Sequence, residues 1–540
     1  LNFNYNIRRF DIAATLGWTG RYENMNNMRV STNGGLVTEN WFDLNASRYT
    51  ASSTLQRMEL LKTGYMGTLS LGWDNYLFLE LTGRQERSST LKDQSFFYPS
   101  ANLSFLFSNA FRMPAWWNHG KLRLSYGVVG NAPETYAANI IYEQGSDNGF
   151  TWNYVPSSWG NANIRPEKKY EYEIGFESKF LNNRLGFDVS YYNNRVKDQI
   201  LSTPQPSTSG VKYVLMNVGE VANEGWDISV SATPVLTKNF RWDLTANYGI
   251  YRNKVVKLAN GVPYLEISNI GGGGAKIQAV EGRPMGDIYV QVPQMNENGE
   301  YLVSDKGLYM NQTELQRVGN INPDGVGGLF SSFSYKNIFL DFSIDFRIGG
   351  DVINEMYQYS TASGLTPESL QFRDTEHGGL SYYYPGNNNA SGVPVQVDPS
   401  LGAGPNGETV YHDGVILPGV VASTGEKNTR IIPAGYYYNQ TYNWGTQPEQ
   451  LTYRHSVFDN SYVKLRELTI GYQFPEKLIS KLGMTRLSVS VFGRNLFYFY
   501  KALKNYDAES SVGTSWASQA VVGGSTTATR NFGVSLRASF

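Results

Sequence analysis

In the stretch IFLDFSIDFR, residues 338–347, apolar and polar side chains alternate from position 340 onward. Successive side chains of an extended strand point to opposite faces, so this alternation predicts one strand with two different faces. The apolar face carries Leu340, Phe342, Ile344 and Phe346, and the polar face carries Asp341, Ser343, Asp345 and Arg347. Such a strand separates an apolar environment from a polar one.

The same alternation recurs along the whole chain, whereas helical periodicity is nearly absent. RWDLTANYGI (241–250) and LGFDVSYY (185–192) repeat the pattern. We predict roughly fifteen strands of about ten residues, the length that a tilted membrane strand needs. The predicted strands begin near residues 1, 11, 64, 76, 96, 120, 169, 184, 219, 240, 326, 338, 460, 486 and 530.

The connections between these strands alternate between short turns and long segments. Short turns are predicted near residues 74, 181, 236 and 335, and long segments near 22–63, 130–168, 197–218, 253–325, 349–459 and 497–529. A soluble sandwich does not require this alternation, but an outer-membrane barrel has short periplasmic turns and long extracellular loops. The sequence therefore predicts an all-β fold, a transmembrane antiparallel β-barrel.

The strand count predicts that the barrel is incomplete. Bacterial single-chain barrels have an even number of strands with both ends periplasmic, whereas the count here is odd. The chain also opens on LNFNYNIRRF, without Met and already alternating. We therefore expect residues 1–540 to be the C-terminal part of a longer barrel protein, lacking its first strands.

Composition excludes several classes of protein. Aromatic residues make up 14% of the chain and its formal net charge is −1, which argues against disorder and against general attraction to nucleic acid. The chain has no cysteine, which excludes disulfides and thiolate chemistry. It also lacks an apolar run of about 18 residues, the length of a membrane-spanning helix.

Charged residues on the polar strand faces are candidates for a lumen wall that contacts an internal plug. They are Asp188, Arg241, Asp243, Asp341, Asp345, Arg347 and Arg537. Asp341 and Asp345 also lie close enough along one strand to form a glycosidase-like carboxylate pair. The barrel pattern favours the polar wall, so we expect no catalytic residues, no cofactor and no enzyme.

Aromatic clusters in the long segments are candidates for contact with a substrate or a lid protein. They are Tyr382, Tyr383, Tyr384, Tyr436, Tyr437, Tyr438, Tyr442 and Trp444. Tyrosine and tryptophan stack on sugars and grip peptide backbones. Packing of loop on loop, a lid interface and residues at the membrane rim give the same sequence pattern, and these alternatives stay open.

Three further motifs favour structural interpretations. NINPDG (320–325) resembles the start of a calcium loop, but Ser331 stands where a bidentate Glu is required, so a plain turn is favoured. IGGGGAK (270–276) lacks the Ser/Thr and the helix of a phosphate-binding loop. The four histidines, His119, His377, His412 and His455, are too dispersed in sequence to indicate a metal centre.

The final stretch RNFGVSLRASF (530–540) alternates to the very end of the chain. Phe532, Val534, Leu536, Ala538 and Phe540 are predicted to face lipid, and the polar residues between them to face the plug. This strand should pair with the first strand of the complete barrel.

Six blocks, in order, resemble the C-terminal barrel of SusC-type TonB-dependent transporters, the SusC/RagA family typical of Bacteroidetes. They are KLRLSYGVVGN (121–131), the segment 165–201, MNVGEVANEGWDISV (216–230), the segments 320–354 and 460–497, and the terminal strand. The resemblance implies a 22-stranded barrel with an upstream plug, a SusD-like surface lipoprotein, the TonB complex, and import of an oligosaccharide or oligopeptide across the outer membrane of a Gram-negative bacterium. It also implies that Phe540 is read by the barrel-assembly machinery.

Two alternatives share part of this pattern. A passive porin has the same strand and loop properties with fewer strands and no energy partner. A secreted adhesin or carbohydrate-binding protein would pack its apolar faces in a core instead of against lipid.

Overall fold

The computed structural model describes residues 1–91, 95–147, 150–205, 207–259, 261–443, 453–524 and 527–540. The chain folds as two compact units. The first unit comprises Leu1–Ile228 and Asn253–Pro263, and the second comprises Ser229–Arg252 and Tyr264–Phe540.

Fifteen long strands of the described residues, here called β1 to β15, follow one another in chain order through the main sheet. Pairing is antiparallel between successive strands from β1 to β8 and again from β10 to β15. The strands are β1 Asn2–Ile7, β2 Phe10–Leu36, β3 Ser47–Trp73, β4 Leu77–Ser88, β5 Ser95–Phe105, β6 Trp117–Asn131, β7 Glu167–Phe180, β8 Leu185–Pro204, β9 Tyr213–Leu236, β10 Phe240–Lys257, β11 Gly325–Tyr335, β12 Ile338–Ile348, β13 Tyr462–Gln473, β14 Arg486–Lys501 and β15 Asn531–Ser539.

Each predicted strand has a counterpart, and most begin within a few residues of the expected position. The prediction of an antiparallel all-β fold is confirmed. Short turns such as 181–184, 237–239 and 336–337 follow odd-numbered strands, and long connections follow most even-numbered ones. The two-residue period was sufficient to find the strands because each has one apolar face.

The predicted loop over 22–63 is wrong. Instead, β2 continues to Leu36 and β3 begins at Ser47, and the two strands pair as a long hairpin through pairs such as Asn27 and Gln56. β4 joins β3 only from the pair Lys62–Ser88 onward. The outer part of this hairpin is rich in Asn, Ser and Thr on both faces, so its sequence lacks the apolar alternation although its backbone pairs normally.

The other predicted loops of the first unit are also partly strand. β8 runs to Pro204 and β9 begins at Tyr213, which leaves little of the predicted loop 197–218. Within 130–168, Glu143–Asp147 pairs with Phe150–Tyr154, and Ser158–Trp159 pairs in parallel with the start of β9.

In the second unit, the predicted loop 253–325 contains a small sheet that packs in one core with residues such as Ile353, Tyr453 and Val521. Its strands are Tyr264–Ile270, Ala275–Val280, Asp287–Val290 and Gln316–Asn320. Alternating residues of the middle strands, including Ile277 and Ile288, are completely buried. Gly271 takes a positive φ of 57°, and the Tyr453 hydroxyl occupies the space where a Cβ would stand.

The predicted loop 349–459 is likewise folded. Helix Glu355–Ala362 begins at Asn354, whose side chain accepts a hydrogen bond from the Tyr357 N–H at 2.9 Å. A second helix spans Ala434–Tyr442. The strands of this segment are Asp351–Asn354, Leu380–Tyr383, Val395–Gln396, Val410–Val415, Val420–Val421, Ile432–Pro433 and Val457–Asp459.

The remaining elements are short. Two further α-helices are Phe107–Ala110 and Glu476–Ile479, and two further strands are Leu302–Val303 and Val521–Val522. The 3₁₀ turns are Leu44–Ala46, Ser207–Ser209, Gly271–Gly273, Pro367–Leu370, Pro385–Asn387, Tyr453–Ser456, Ser480–Leu482 and Ser518–Ala520. Among the described residues, none of the helices combines the length and the apolar character needed to span a membrane.

Candidate functional site

The strands of both units expose an apolar face. In the second unit, the β14–β15 register aligns Val489 with Leu536 and Val491 with Val534. Leu536 and Val534 remain 68% and 71% exposed. In the first unit, Ile174 and Trp226 are also exposed. Large contiguous apolar surface in contact with solvent marks a membrane or protein interface.

The opposite face of the first unit carries a cluster of ionic contacts around Arg123. Two guanidinium nitrogens donate to the carboxylate of Asp188 at 2.6 and 3.2 Å, and Glu177 lies 3.5 Å from the same group. The His119 ring nitrogen is 3.7 Å from Glu177. The predicted polar-face residue Asp188 on β8 is therefore paired with an arginine of β6, across the intervening strand β7.

The polar face of the second unit also holds paired carboxylates, both within a strand and across strands. Asp243 accepts hydrogen bonds from Arg241 at 2.5 Å and from the Thr233 hydroxyl at 2.7 Å. Asp341 accepts from the Ser332 hydroxyl at 2.6 Å. Asp341 is thus hydrogen-bonded to a serine and Asp345 to an arginine.

Asp345 belongs to the densest ionic network of this face. Arg466 lies at a bulge where β13 shifts register against both neighbours. Its guanidinium donates to Asp345 at 2.5 Å and to both carboxylate oxygens of Glu509 at 2.6 and 2.9 Å. Lys464, whose side chain is 2% exposed, donates to Glu509 at 2.5 Å.

Glu509 thereby connects the segment 502–530 to the strands. Burial opposes its ionisation, but hydrogen bonds from Arg466 and Lys464 outweigh that effect and lower the pKa of Glu509. Nearby Asp507 accepts the Tyr498 hydroxyl at 2.5 Å and the Ala528 N–H at 3.1 Å. The segment is therefore held against the polar face by two carboxylates.

The other predicted polar residues have different surroundings. Arg347 donates to the backbone carbonyls of Gly349 at 3.1 Å and Ile321 at 3.0 Å. It therefore links the end of the connection before β11 to the start of the connection after β12. Arg537 lies opposite Ser488 on the polar face of β15. Phe540 follows the last strand and is 81% exposed, and its role in assembly stays a prediction.

The predicted aromatic contact residues divide by burial. Tyr382 is 1% exposed, stacks on Tyr411 at 5.5 Å between ring centroids, and donates its hydroxyl to Asp413 at 3.1 Å. Burial raises the pKa of Tyr382. Tyr384 is also buried and packs edge-on against Tyr382 at 5.6 Å. Both rings lie inside a core where a ligand does not reach them.

Helix Ala434–Tyr442 buries a second group of rings. Tyr438 donates its hydroxyl to the carbonyl of Glu368 at 2.8 Å, and Tyr442 packs 6.0 Å from Tyr438 between ring centroids. The prediction of ligand contact is therefore wrong for Tyr382, Tyr384, Tyr438 and Tyr442. Their rings are buried in apolar packing between loop elements. Tyr383, Tyr436 and Tyr437 are partly exposed, and Trp444 lies outside the described residues.

A carboxylate that the sequence analysis missed secures the fold around Tyr382. Glu408 is buried and accepts the backbone N–H groups of Asn406 at 2.8 Å and Gly386 at 3.2 Å. These donors lower the pKa of Glu408 to about 2. The neighbouring NGE sequence signals a turn but gives no indication that its carboxylate reaches back to residue 386.

The network around Glu509 was missed as well. Lys464 and Arg466 alternate along β13, a pattern that does indicate two cations on one face and a need for anions. The partner lies 43 positions after Arg466 in a segment that the sequence analysis assigned to an exposed loop.

The motif at 320–325 connects the strand Gln316–Asn320 to the start of β11 at Gly325. The side chains of Asn320 and Asn322 donate to the carbonyl of Met285 at 3.4 and 2.6 Å, and Asn320 also donates to Asp287 at 2.9 Å. Asp287 itself is paired with Arg283 and Arg317 at 2.5 and 2.9 Å. The asparagine amides are therefore used as donors within the protein.

Comparison with known proteins identifies the class. Residues 1–287 match the family described as TonB dependent receptor-like, beta-barrel, and the chain belongs to this family. The sequence-based assignment to a TonB-dependent barrel of the SusC type is thereby confirmed at the level of the fold and family.

Individual relatives agree with this assignment. TonB-dependent receptor P3 of Formosa agariphila is 22% identical over 494 residues, which is 83% of this chain and 42% of the relative. TonB-dependent receptor SusC of Bacteroides thetaiotaomicron is 27% identical over 256 residues, 42% of this chain and 24% of the relative. The chain therefore spans less than half the length of the curated relatives that it matches.

Among solved structures, the RagAB peptide transporter matches with a TM-score of 0.72 and 18% identity, covering 100% of this chain and 54% of the solved chain. The RagAB peptide importer in its open-open state gives a TM-score of 0.71 with the same coverage. At this identity the match describes the fold.

Proposed function

We propose that this chain forms the C-terminal wall of an outer-membrane barrel that imports a nutrient oligomer. The observation that carries the proposal is the contrast between the two faces of the main sheet within each unit. One face exposes residues such as Ile174 and Val534, and the other holds ion pairs such as Arg123–Asp188 and Arg466–Asp345. A wall between lipid and a polar lumen needs this arrangement.

The energy source and the partners follow from the family. The complete protein would have 22 strands and an upstream plug that contacts the polar faces and the TonB complex. A SusD-like lipoprotein would cover the extracellular mouth, and the barrel-assembly machinery would read Phe540. Relatives named TonB-dependent receptor and SusC, and the structural match to RagAB, support this proposal.

The substrate is proposed to be an oligosaccharide or an oligopeptide. Tyr383, Tyr436 and Tyr437 are the predicted aromatic residues that retain exposed area for contact with a substrate or the lid. Mass spectrometry of ligand that copurifies with the intact transporter distinguishes glycan from peptide.

Energy dependence tests the mechanism. Uptake of the copurifying oligomer is measured in cells that produce the complete transporter, with and without a functional TonB complex. We expect uptake to be abolished when TonB is disrupted, and the lipoprotein to copurify in mild detergent. Undiminished uptake without TonB would favour a passive porin, and recovery of the intact protein without detergent would favour a secreted protein.

A further inference from the structure

A cluster of basic side chains lies at the loop-side end of β7 and β8, the end remote from the turn 181–184. The register places Lys168 directly opposite Lys197, and Tyr170 opposite Arg195. Paired residues of antiparallel strands project to the same face, so the two lysines stand side by side. The register continues without a shift to Tyr172 and Ile174, so the cluster is on the exposed apolar face.

Within this cluster the arginine is paired with a carboxylate, whereas the two lysines are not. Arg195 pairs with Glu220 at 3.3 Å, and Asp198 is engaged by Arg165 at 2.9 Å. Across the part of the chain that the structure describes, no carboxylate lies within 4.0 Å of either Lys168 or Lys197. The Lys197 ammonium has a cation–π contact, 5.9 Å from the centroid of the Tyr170 ring.

Like charges directly opposite one another destabilise a pair of strands. An anion bound between the two lysines removes that repulsion, which the cation–π contact of Lys197 does not. Phosphate suits the site because it carries the charge and the acceptor oxygens that lysine and arginine donors require.

A cavity of about 730 Å³ adjoins the cluster. Its lining includes Lys197, Glu220 and Lys257, together with the stretch Met216–Gly219. This volume is in the range of small-ligand sites. The cavity therefore offers room for a sugar headgroup beside the lysine pair. Its lining supplies both hydrogen-bond donors and hydrogen-bond acceptors.

We propose that Lys168 and Lys197 bind a phosphate of a lipid A-type glycolipid in the outer leaflet. The proposal rests on the proposed function, because that function places the loop-side ends of the strands at the cell surface. The position on the sheet favours a lipid over a free phosphate. The acyl chains of a lipid so bound lie along the apolar face that begins at Tyr172 and Ile174.

The test replaces both lysines in the complete transporter, as K168Q/K197Q, which removes the charge and keeps hydrogen-bonding side chains. The control, K121Q/K179Q, makes the same change in charge near the turn-side ends of β6 and β7. Transporters purified in mild detergent are assayed for bound lipid A by native mass spectrometry. We expect about tenfold less lipid A on the test variant and no change on the control.

Thermal unfolding then separates the lipid from other sources of phosphate. Delipidated wild type and both variants are heated with lipid A, with dephosphorylated lipid A, or with inorganic phosphate. Lipid A is expected to raise the midpoint for wild type and the control but not for K168Q/K197Q. Without lipid, relief of repulsion should leave K168Q/K197Q at least as stable as wild type at low salt.

Equal lipid retention by K168Q/K197Q overturns the proposal. So does equal stabilisation by dephosphorylated lipid A, or by inorganic phosphate at the same concentration. These results leave the import function untouched if uptake still depends on TonB. Recovery of the wild-type protein without detergent overturns the membrane location and the lipid site together.

Discussion

The hairpin of β2 and β3 and the segment 349–459 are both connections that the sequence analysis assigned to exposed loops, yet they fold in different ways. The hairpin extends as two paired strands whose outer residues, such as Tyr49 and Leu55, remain exposed. The segment 349–459 builds cores of its own around Tyr382 and Tyr438.

The difference follows from how each sequence distributes its apolar residues. The hairpin has isolated apolar residues among Asn, Ser and Thr, so strand pairing and a few hydrogen bonds, such as that from the Glu59 N–H to the Tyr136 hydroxyl, order it. The other segment contains concentrated stretches, LSYYYP (380–385) and RIIPAGYYY (430–438), that fold back on one another. Backbone pairing thus gives an extended arm, whereas clustered aromatics give a packed subdomain.

The largest expected effect tests this contrast directly. Tyr382→Ala removes a fully buried ring and should destabilise the segment 349–459 by about 3–5 kcal/mol, the usual cost of truncating a buried aromatic residue. Hydrogen exchange of peptides covering 380–415 measures the loss. Tyr49→Ala in the hairpin, where the ring is exposed, is the matched control and should change local protection by less than about 0.5 kcal/mol.

An equal effect of the two substitutions would contradict the distinction between a packed segment and an extended arm.

Tyr382→Phe sharpens the comparison further. It keeps the ring and removes only the hydroxyl that donates to Asp413. The expected loss is about 1–2 kcal/mol, because Asp413 loses one hydrogen bond.

The next prediction concerns the loss of stability when one carboxylate is neutralised in each of two ion pairs with similar distances. Arg57–Glu59 in the hairpin and Arg466–Glu509 in the second unit have N–O distances of 2.5 and 2.6 Å, but the side chains of the first pair are 67% and 39% exposed and those of the second about 30%. Glu509→Gln should weaken the packing of 502–530 by about 1–3 kcal/mol, since Lys464 loses its carboxylate partner. Glu59→Gln should cost less than about 0.5 kcal/mol.

Proteolysis of the segment 502–530 in the folded protein measures this pair of variants. Faster cleavage is expected for Glu509→Gln and not for Glu59→Gln. If cleavage of 502–530 were unchanged in Glu509→Gln, the carboxylate would not be what anchors the segment.

Acid titration gives a smaller effect that is confined to the packed segment. The pKa of Glu408 is lowered to about 2, so its contribution to stability is complete above the ordinary carboxyl pKa and is lost as the pH falls toward 2. Protection factors of amides around 386–408, which correct for the pH dependence of intrinsic exchange, should therefore fall on acidification in wild type. Glu408→Gln should lack this acid-dependent step and should already show faster exchange at neutral pH.

Peptides from the hairpin provide the internal reference in the same samples. Their exchange should not differ between wild type and Glu408→Gln at any pH. If the acid-dependent step persisted in Glu408→Gln, a group other than Glu408 would be responsible for it.

The sequence allowed the strands of the main sheet to be predicted because each has one apolar and one polar face, a local property. Asp188, Asp243 and Asp345 each have an arginine partner, and their predicted contact with a plug stays a prediction. Their partners were not predictable, since Arg123 is 65 positions from Asp188 and Arg466 projects from a bulge. The bulge shifts the register, and period-two reasoning carries no information about such a shift.

The burial of tyrosines was not predictable for a different reason. Tyrosine has a large apolar ring and a polar hydroxyl, so it serves packed cores and exposed binding surfaces equally well. Tyr382 and Tyr383 are neighbours in one strand, yet only Tyr382 points into the core. That choice depends on tertiary packing against Tyr411 and Ile431, which lie elsewhere in the segment.

The smallest effect is expected from shortening the hairpin. Replacing residues 25–58 with Asn-Gly keeps the pair Asn24–Glu59 and closes the strands with a tight turn. Because β4 joins β3 only from Lys62 onward, the deleted part is paired solely within itself among the described strands. Membrane assembly and the thermal midpoint should therefore remain near wild type, within about 1 kcal/mol. A large loss of assembled protein would show that the arm is held by contacts beyond its own strand pairing, and the contrast with the packed segment would then fail.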